Sequence, residues 1–252
     1  MKPDHPSEAQ IPGLRQLWKT AFGDDDAWLD QFFSLAYAPE RCLCIADGTQ
    51  VLAALYWFDV SCENKPLAYL YAVATDPACR NQGLCRTLIA AAKERRTQLG
   101  YAGALLKPEN AGLSQMYERM GFRPCTTVTE RQLPAAPAAA PVHRLDATEY
   151  ARLRREMLPK GGVVQEGAAL ALLENQAQFF SGPDFLAAVS PDVSLLHCHE
   201  FLGNPDAASA LLHTLGYSVG FFRFPGGQRP FASFCPLSPD CPKPAYFGLA
   251  LD

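Results

Sequence analysis

The residues best suited to chemistry stand in two short blocks. The first, Arg80-Asn81-Gln82-Gly83-Leu84-Cys85, follows an apolar run that ends at Asp76-Pro77 and opens a helical pattern at Gly83. A strand, a small polar turn and a helix start together make an anion-binding arrangement, because unsatisfied backbone N–H groups and the positive end of the helix dipole face one point. Gly83 has no side chain to obstruct a pyrophosphate, and Arg80 adds a charge of the right sign. A lone glycine in such a turn often answers to backbone sterics alone, so its surroundings carry the weight. The second block is Asn110-Ala111-Gly112-Leu113-Ser114-Gln115-Met116-Tyr117-Glu118-Arg119-Met120-Gly121-Phe122. Asn110 stands where a helix N-cap is wanted. Tyr117 lies two helical turns further on, which would put both on one face of a short helix. The bland alternative for Tyr117 is a core aromatic on an amphipathic helix.

The pattern Arg80-x-x-Gly83-x-Cys85 resembles the Gln/Arg-x-x-Gly-x-Gly/Ala acetyl-CoA motif of the GNAT superfamily of N-acetyltransferases. Ala72-Val73-Ala74-Thr75-Asp76-Pro77 is similar to that family's fourth strand, and the block opened by Asn110 resembles its Asn-to-Tyr-to-Gly-Phe segment. The likeness covers residues 8–133. It implies that acetyl-CoA is the co-substrate, held by Arg80, Asn81, Gln82, Gly83, Leu84, Cys85 and Asn110 and by the main chain of Val73, Ala74 and Thr75, along which the pantetheine arm lies like an added strand. A backbone N–H there would polarise the thioester carbonyl. Tyr117 would protonate the departing thiolate, a role that suits a phenol because its pKa lies above a thiol's. Transfer would be direct, without an acyl-enzyme, to a primary amine on a small molecule or peptide.

This chain departs from the family pattern at Cys85, where Gly or Ala is preferred, and at Leu105, where many members carry an acidic base. No base is identifiable. Tyr69 and Tyr71 share a strand face, Glu109 lies near the acyl end, and Glu200 belongs to the second half; each reads more simply as a sheet-face or surface residue. The alternative on the same motif is a CoA-binding module that has lost turnover. Cys85 itself reads as a small buried hydrophobe, with no base partner to make it a nucleophile.

The elements that must position these blocks follow from periodicity. Helices are expected at 8–21 and 25–37, strands at 42–46, 51–60 and 67–75, a helix at 83–99, a strand at 102–106, a helix at 110–120 and a strand at 122–133. The stretch Pro134-Ala135-Ala136-Pro137-Ala138-Ala139-Ala140-Pro141 reads as a stiff linker between a catalytic domain at 1–133 and a second domain at 142–252. Beyond it, helices are expected at 146–157, 166–180 and 205–215, and strands at 185–189, 194–202 and 245–251, with Phe221-Phe222-Arg223-Phe224 a strand ending in the turn Pro225-Gly226-Gly227. Asp252 closes the chain, where a solvated end is the ordinary state. The whole is an α/β fold with a mixed sheet of α+β character. The second half echoes the first in element order, as a degenerate copy of a GNAT-like fold would, though no shared motif or sequence period establishes repetition. This second module is expected to pack against the first and close one side of an acceptor groove.

Composition sets outer bounds. With 252 residues, 48% hydrophobic and 19% charged, there is material for a sizeable core. Net charge −4 and the lack of a basic block argue against nucleic acid, and no apolar run approaches a membrane span. Nine cysteines, an odd number without disulfide-like spacing, point to free thiols in a reducing cytoplasm. Cys42-Leu43-Cys44 and His197-Cys198-His199 lack the second ligand pair that a zinc site needs, so no metal is expected.

Overall fold

The computed structural model describes residues 1–251; Asp252 lies outside them. The chain forms two compact units, Met1–Arg123 with Ser233–Pro242 and Pro124–Ala232 with Lys243–Asp252. The division therefore does not fall at the expected linker. Residues Thr127–Pro134 form a strand that pairs antiparallel with Val219–Pro225, so backbone hydrogen bonding draws them into the second unit. The prolines at the head of 134–141 end that strand rather than marking the boundary.

In the first unit, α1 (Ile11–Phe22) buries Leu14, Leu17 and Trp18. Helix α2 (Asp26–Leu35) is capped by Asp25, whose carboxylate accepts the Trp28 N–H at 2.8 Å. Strands β1 (Cys42–Asp47), β2 (Gln50–Cys62) and β3 (Lys65–Thr75) follow, then α3 (Leu84–Gln98), β4 (Gly103–Leu106) and α4 (Ala111–Glu118). The sheet runs β1-β2-β3-β4, with Ser233–Pro236 added antiparallel beside β4; β3 and β4 are parallel and the other pairs antiparallel. Side-chain alternation sorts the core into two layers. Leu55, Trp57, Leu70 and Leu106 pack with Leu88, Ile89 and Ala92 of α3 and Tyr117 of α4. On the other face Tyr56 meets Trp18 and Phe32, each at a ring separation of 5.2 Å.

The second unit repeats this plan. Helices Ala147–Met157 and Ala168–Glu174 precede strands Gln178–Ser181, Phe185–Pro191 and Leu196–Gly203, then helix Ala208–Leu215 and strand Val219–Pro225. Pairing is antiparallel, antiparallel and then parallel, and Thr127–Pro134 lies next, antiparallel, as Ser233–Pro236 does in the first unit. In each unit the parallel pairing is equally short: 67–69 with 103–105, and 196–198 with 220–222. In each, the third strand of the series also bulges just beyond it. The shared topology is that of a duplicated fold. Among the described residues the second unit has no counterpart of α4, and its helix Ala208–Leu215 starts directly after the turn Pro205–Ala207, with no equivalent of residues 80–83.

A buried polar cluster anchors this unit. The Glu200 carboxylate accepts from the Tyr150 and Tyr246 hydroxyls, each at 2.9 Å, and from Arg154 Nε and Nη2 at 2.6 and 2.9 Å. Arg154 Nη1 donates to the Val163 carbonyl at 3.0 Å.

Some expected elements differ. The helix expected at 166–180 stops at Glu174, because Gln178-Phe179-Phe180-Ser181 alternates and pairs as a strand with Phe185–Pro191. The expected strand 122–133 is interrupted at 125–126. Residues 245–251 are not a strand but an irregular, largely buried segment. Among the described residues no helix is long and apolar enough to cross a membrane.

Candidate active site

The site is built at the end of β3. This strand pairs with β4 only over residues 67–69, so Val73 and Thr75 lie past the end of that ladder. Between Ala54 and Tyr56 the β2–β3 register slips, leaving Ala72 and Val73 without register partners, and Ala72 sits at φ 46°, a left-handed conformation costly to a residue with a Cβ. The Asp76 N–H donates to the Leu52 carbonyl at 2.8 Å. By antiparallel alternation, Ala74 is then a hydrogen-bonded partner of Ala54, while the N–H and C=O of Thr75 turn away from β2. Of the main chain at Val73, Ala74 and Thr75, that of Ala74 is thus committed to the sheet. This corrects the expectation that all three were open to a ligand.

From there the chain turns into α3. The Asp76 side chain accepts the Ala78 N–H at 2.8 Å, closing a short turn over Pro77–Cys79. Arg80, Asn81 and Gln82 are exposed, Asn81 has φ 63° and Gly83 φ 80°. A Cβ placed on Gly83 would meet nothing within 4 Å. The glycine therefore answers to backbone conformation, and the space before it is open. The first helical bond here runs from the Thr87 N–H to the Gly83 carbonyl at 3.0 Å, which leaves the N–H groups of Leu84, Cys85 and Arg86 without helical acceptors. The first turn of α3 carries no acidic residue to oppose an anion. Exposed Arg86 adds a cation that the motif, read as ending at Cys85, did not include.

Leu84 and Cys85 pack their side chains against the core cluster that contains Tyr117. Burial pushes the Cys85 thiol up, the opposite of what a nucleophile requires. Tyr117 is 7% exposed, its ring edge-on to Phe122 at 6.0 Å. Burial first, and then the neighbouring Cys85 thiol, push its phenol above the ordinary tyrosine range.

Asn110 does cap α4, its Oδ1 accepting the Leu113 N–H at 3.0 Å. It does not share a face with Tyr117 as expected. Asn110 lies outside the helix at φ −146° and ψ 171° and is exposed, whereas Tyr117 turns into the core. A two-turn spacing aligns side chains only when both residues are helical.

The candidate bases disperse. Leu105 is fully buried. Tyr69 and Tyr71 stand in the aromatic layer on the α1 and α2 face, with ring centroids 6.0 Å apart. Glu109 is exposed at the chain turn before α4. Glu200 belongs to the second unit, where Arg154 and two phenols occupy its carboxylate. His199 Nε2 lies 2.7 Å from Ser190 Oγ, and among the described residues no group of three or more His, Cys, Asp or Glu is placed to hold a metal.

Residues 3–125 match the family described as acetyltransferase (GNAT) domain. A comparison with curated protein sequences finds no match. Among solved structures, a GCN5-related N-acetyltransferase from Kribbella flavida superposes with a TM-score of 0.71 at 16% identity, covering 92% of this chain and 70% of that one. A GCN5-related N-acetyltransferase from Anabaena variabilis gives 0.72 at 13% identity, covering 94% and 73%. A tandem GNAT protein from the clavulanic acid biosynthesis pathway gives 0.56 at 12% identity, covering 95% and 98%. At such identities the likeness concerns the fold, and its extent takes in residues of both units. With the family match, the open helix start and the short β3–β4 pairing taken together, residues 3–125 of this chain are a domain of the GNAT acyltransferase family.

Proposed function

We propose that the chain transfers an acetyl group from acetyl-CoA to a primary amine of a small molecule or peptide, by direct attack, in the cytoplasm. The observation that carries this reading is the open start of α3, where the N–H groups of Leu84, Cys85 and Arg86 lack acceptors and the space before Gly83 is clear. Those N–H groups, with Arg80 and Arg86, fit a diphosphate. Asn81 and Gln82 form the exposed turn around it, and Asn110 keeps its side-chain N–H groups available while its oxygen caps α4.

Acetyl-CoA supplies the acyl group already activated as a thioester. Val73 and Thr75 offer main-chain groups past the end of the β3–β4 ladder, which suits an extended arm laid beside β3 and a backbone N–H directed at the thioester carbonyl. Tyr117 holds its proton well into the alkaline range, so it can deliver it to the leaving sulfur. The acceptor amine must be neutral to attack. With Leu105 buried and apolar, an amine already partly neutral, or a water chain to solvent, takes the place of a dedicated base.

Leu105 also favours a second reading, a CoA-binding module without turnover. Thermal stabilisation by acetyl-CoA is expected on both readings, since a ligand bound only to the native state raises apparent stability. Release of free CoA thiol across a panel of amines separates them. No stabilisation at saturating acetyl-CoA would overturn both.

A further inference from the structure

The two faces of the first sheet offer an incoming molecule different surfaces. Helices α3 and α4 cover one of them, and Leu84 and Cys85 at the start of α3 pack into that layer. An acceptor that must reach the main chain at Ala72 and Val73, while a coenzyme lies on the α3 side, is left with the opposite face, that of α1 and α2. Tyr71 is half-buried there, immediately before the bulge. Its ring stands among four others, with centroids 5.5 Å from Phe58, 5.8 Å from Trp18, 6.0 Å from Tyr69 and 6.1 Å from Phe32. Phe22, 46% exposed and 5.5 Å from Trp18, carries the same apolar surface out to solvent. The four carboxylates of α1, α2 and the turn between them are already engaged. Asp24 accepts the Trp18 Nε1–H at 2.7 Å, Asp25 caps α2, Asp26 and Asp30 pair with Arg15 at 3.3 and 2.7 Å, and Lys19 lies 2.6 Å from Asp26.

We propose that the acceptor is a primary amine carried on an aromatic body, an arylalkylamine, with Tyr71 as the residue that selects it; this rests on the acetyl-transfer reading above. Aromatic rings receive another ring in offset or edge-on contact. A polyamine or an aminoglycoside brings several ammonium groups, and on this face each would meet rings and carboxylates that already hold partners, leaving charge unpaired. The same surroundings favour the reactive form of the acceptor, because partial removal from water disfavours an ammonium and releases the neutral amine. That suits a site in which Leu105 stands where an acidic base is absent. In the transfer the amine lone pair forms the C–N bond to the acetyl carbon and the C–S bond breaks. Tyr117 gives the sulfur its proton, and the proton lost from the amine passes to solvent, from which the phenol is restored.

The test measures release of CoA thiol by the full chain with 2-phenylethylamine, n-butylamine, spermidine and an aminoglycoside. The expected result is a kcat/KM for 2-phenylethylamine about tenfold or more above that of each of the others. Tyr71→Leu, which keeps an apolar side chain at a half-buried position, should erase most of that preference through KM, with thermal stabilisation by acetyl-CoA unchanged. Equal or better turnover of n-butylamine, spermidine or the aminoglycoside would overturn the aromatic acceptor and leave acetyl transfer standing. A preference for 2-phenylethylamine that survives in Tyr71→Leu would remove Tyr71 from the selection. Should that variant fail to fold, the comparison of amines on the parent chain still decides. Release with none of the amines would overturn acetyl transfer to amines, and this inference with it.

Discussion

Replacing Gly83 with alanine separates two roles that a glycine at a helix start can have. In the left-handed region, at φ 80°, an alanine costs about 1–2 kcal/mol. Since an added Cβ meets nothing within 4 Å, no packing penalty should join that figure. Gly100, at the other end of the same helix, has φ 81° and equally empty surroundings, so Gly100→Ala is a matched control carrying the same strain far from the anion site. Urea unfolding of the ligand-free variants should show equal losses of about 1–2 kcal/mol. Calorimetric titration with CoA should then part them. Gly83→Ala puts a methyl group where the diphosphate must approach the amides and should weaken binding by about tenfold or more, near 1.4 kcal/mol, whereas Gly100→Ala should bind as the parent does. Equal CoA affinity in the two variants would show that no phosphate approaches Gly83, and the assignment of the site would fall with it.

Tyr117→Phe should lower kcat by about 10²–10⁴-fold with little change in CoA affinity, as steady-state kinetics beside calorimetry would reveal; full activity would remove Tyr117 from the chemistry. A general acid works in its protonated form, and burial holds this phenol above its usual range, so Tyr117 should impose no alkaline decline in kcat below pH of about 10. An alkaline limb at lower pH that vanishes in Tyr117→Phe would contradict this. In the second unit, Glu200→Gln strands the buried Arg154 charge and should cost about 3–5 kcal/mol, whereas Glu200→Leu combined with Arg154→Met should cost less. Hydrogen exchange of the helix Ala147–Met157 would measure both, and an equal or larger loss in the double variant would refute the pairing argument.

The legible parts of the fold were those whose information is local. Strands β1 to β3 and helix α3 show their period within their own residues, and the turn before α3 shows its chemistry through Arg80 and Gly83. What escaped reading depended on distant partners. Ser233-Phe234-Cys235-Pro236 is too short to display alternation, and it becomes a strand because Leu106 and its neighbours offer an edge. The expected strand 122–133 takes in most of Thr127–Pro134, yet nothing within that stretch says that its partner is Val219–Pro225. Residues 245–251, rich in Ala and Leu, announce burial but not the irregular path set by Tyr246 reaching Glu200. In the candidate site, residue types could be read, while main-chain direction could not: only the register with β2 turns Ala74 inward and Thr75 outward. Arg86 was overlooked because a motif has an end and a helix dipole does not stop there.

The returning segment Ser233–Pro242 has a consequence for biogenesis. Synthesis is vectorial, and domains ordinarily fold as they emerge from the ribosome, N-terminal first. Here β4 acquires its outer neighbour only after 233–236 has left the exit tunnel, when the polypeptide between has already been made. Through most of translation the nascent first sheet would present a bare hydrogen-bonding edge, a surface that invites chaperone attention or mispairing. For the same reason a fragment ending at 133 is not a natural expression boundary: it carries the GNAT residues but leaves behind the strand that flanks β4.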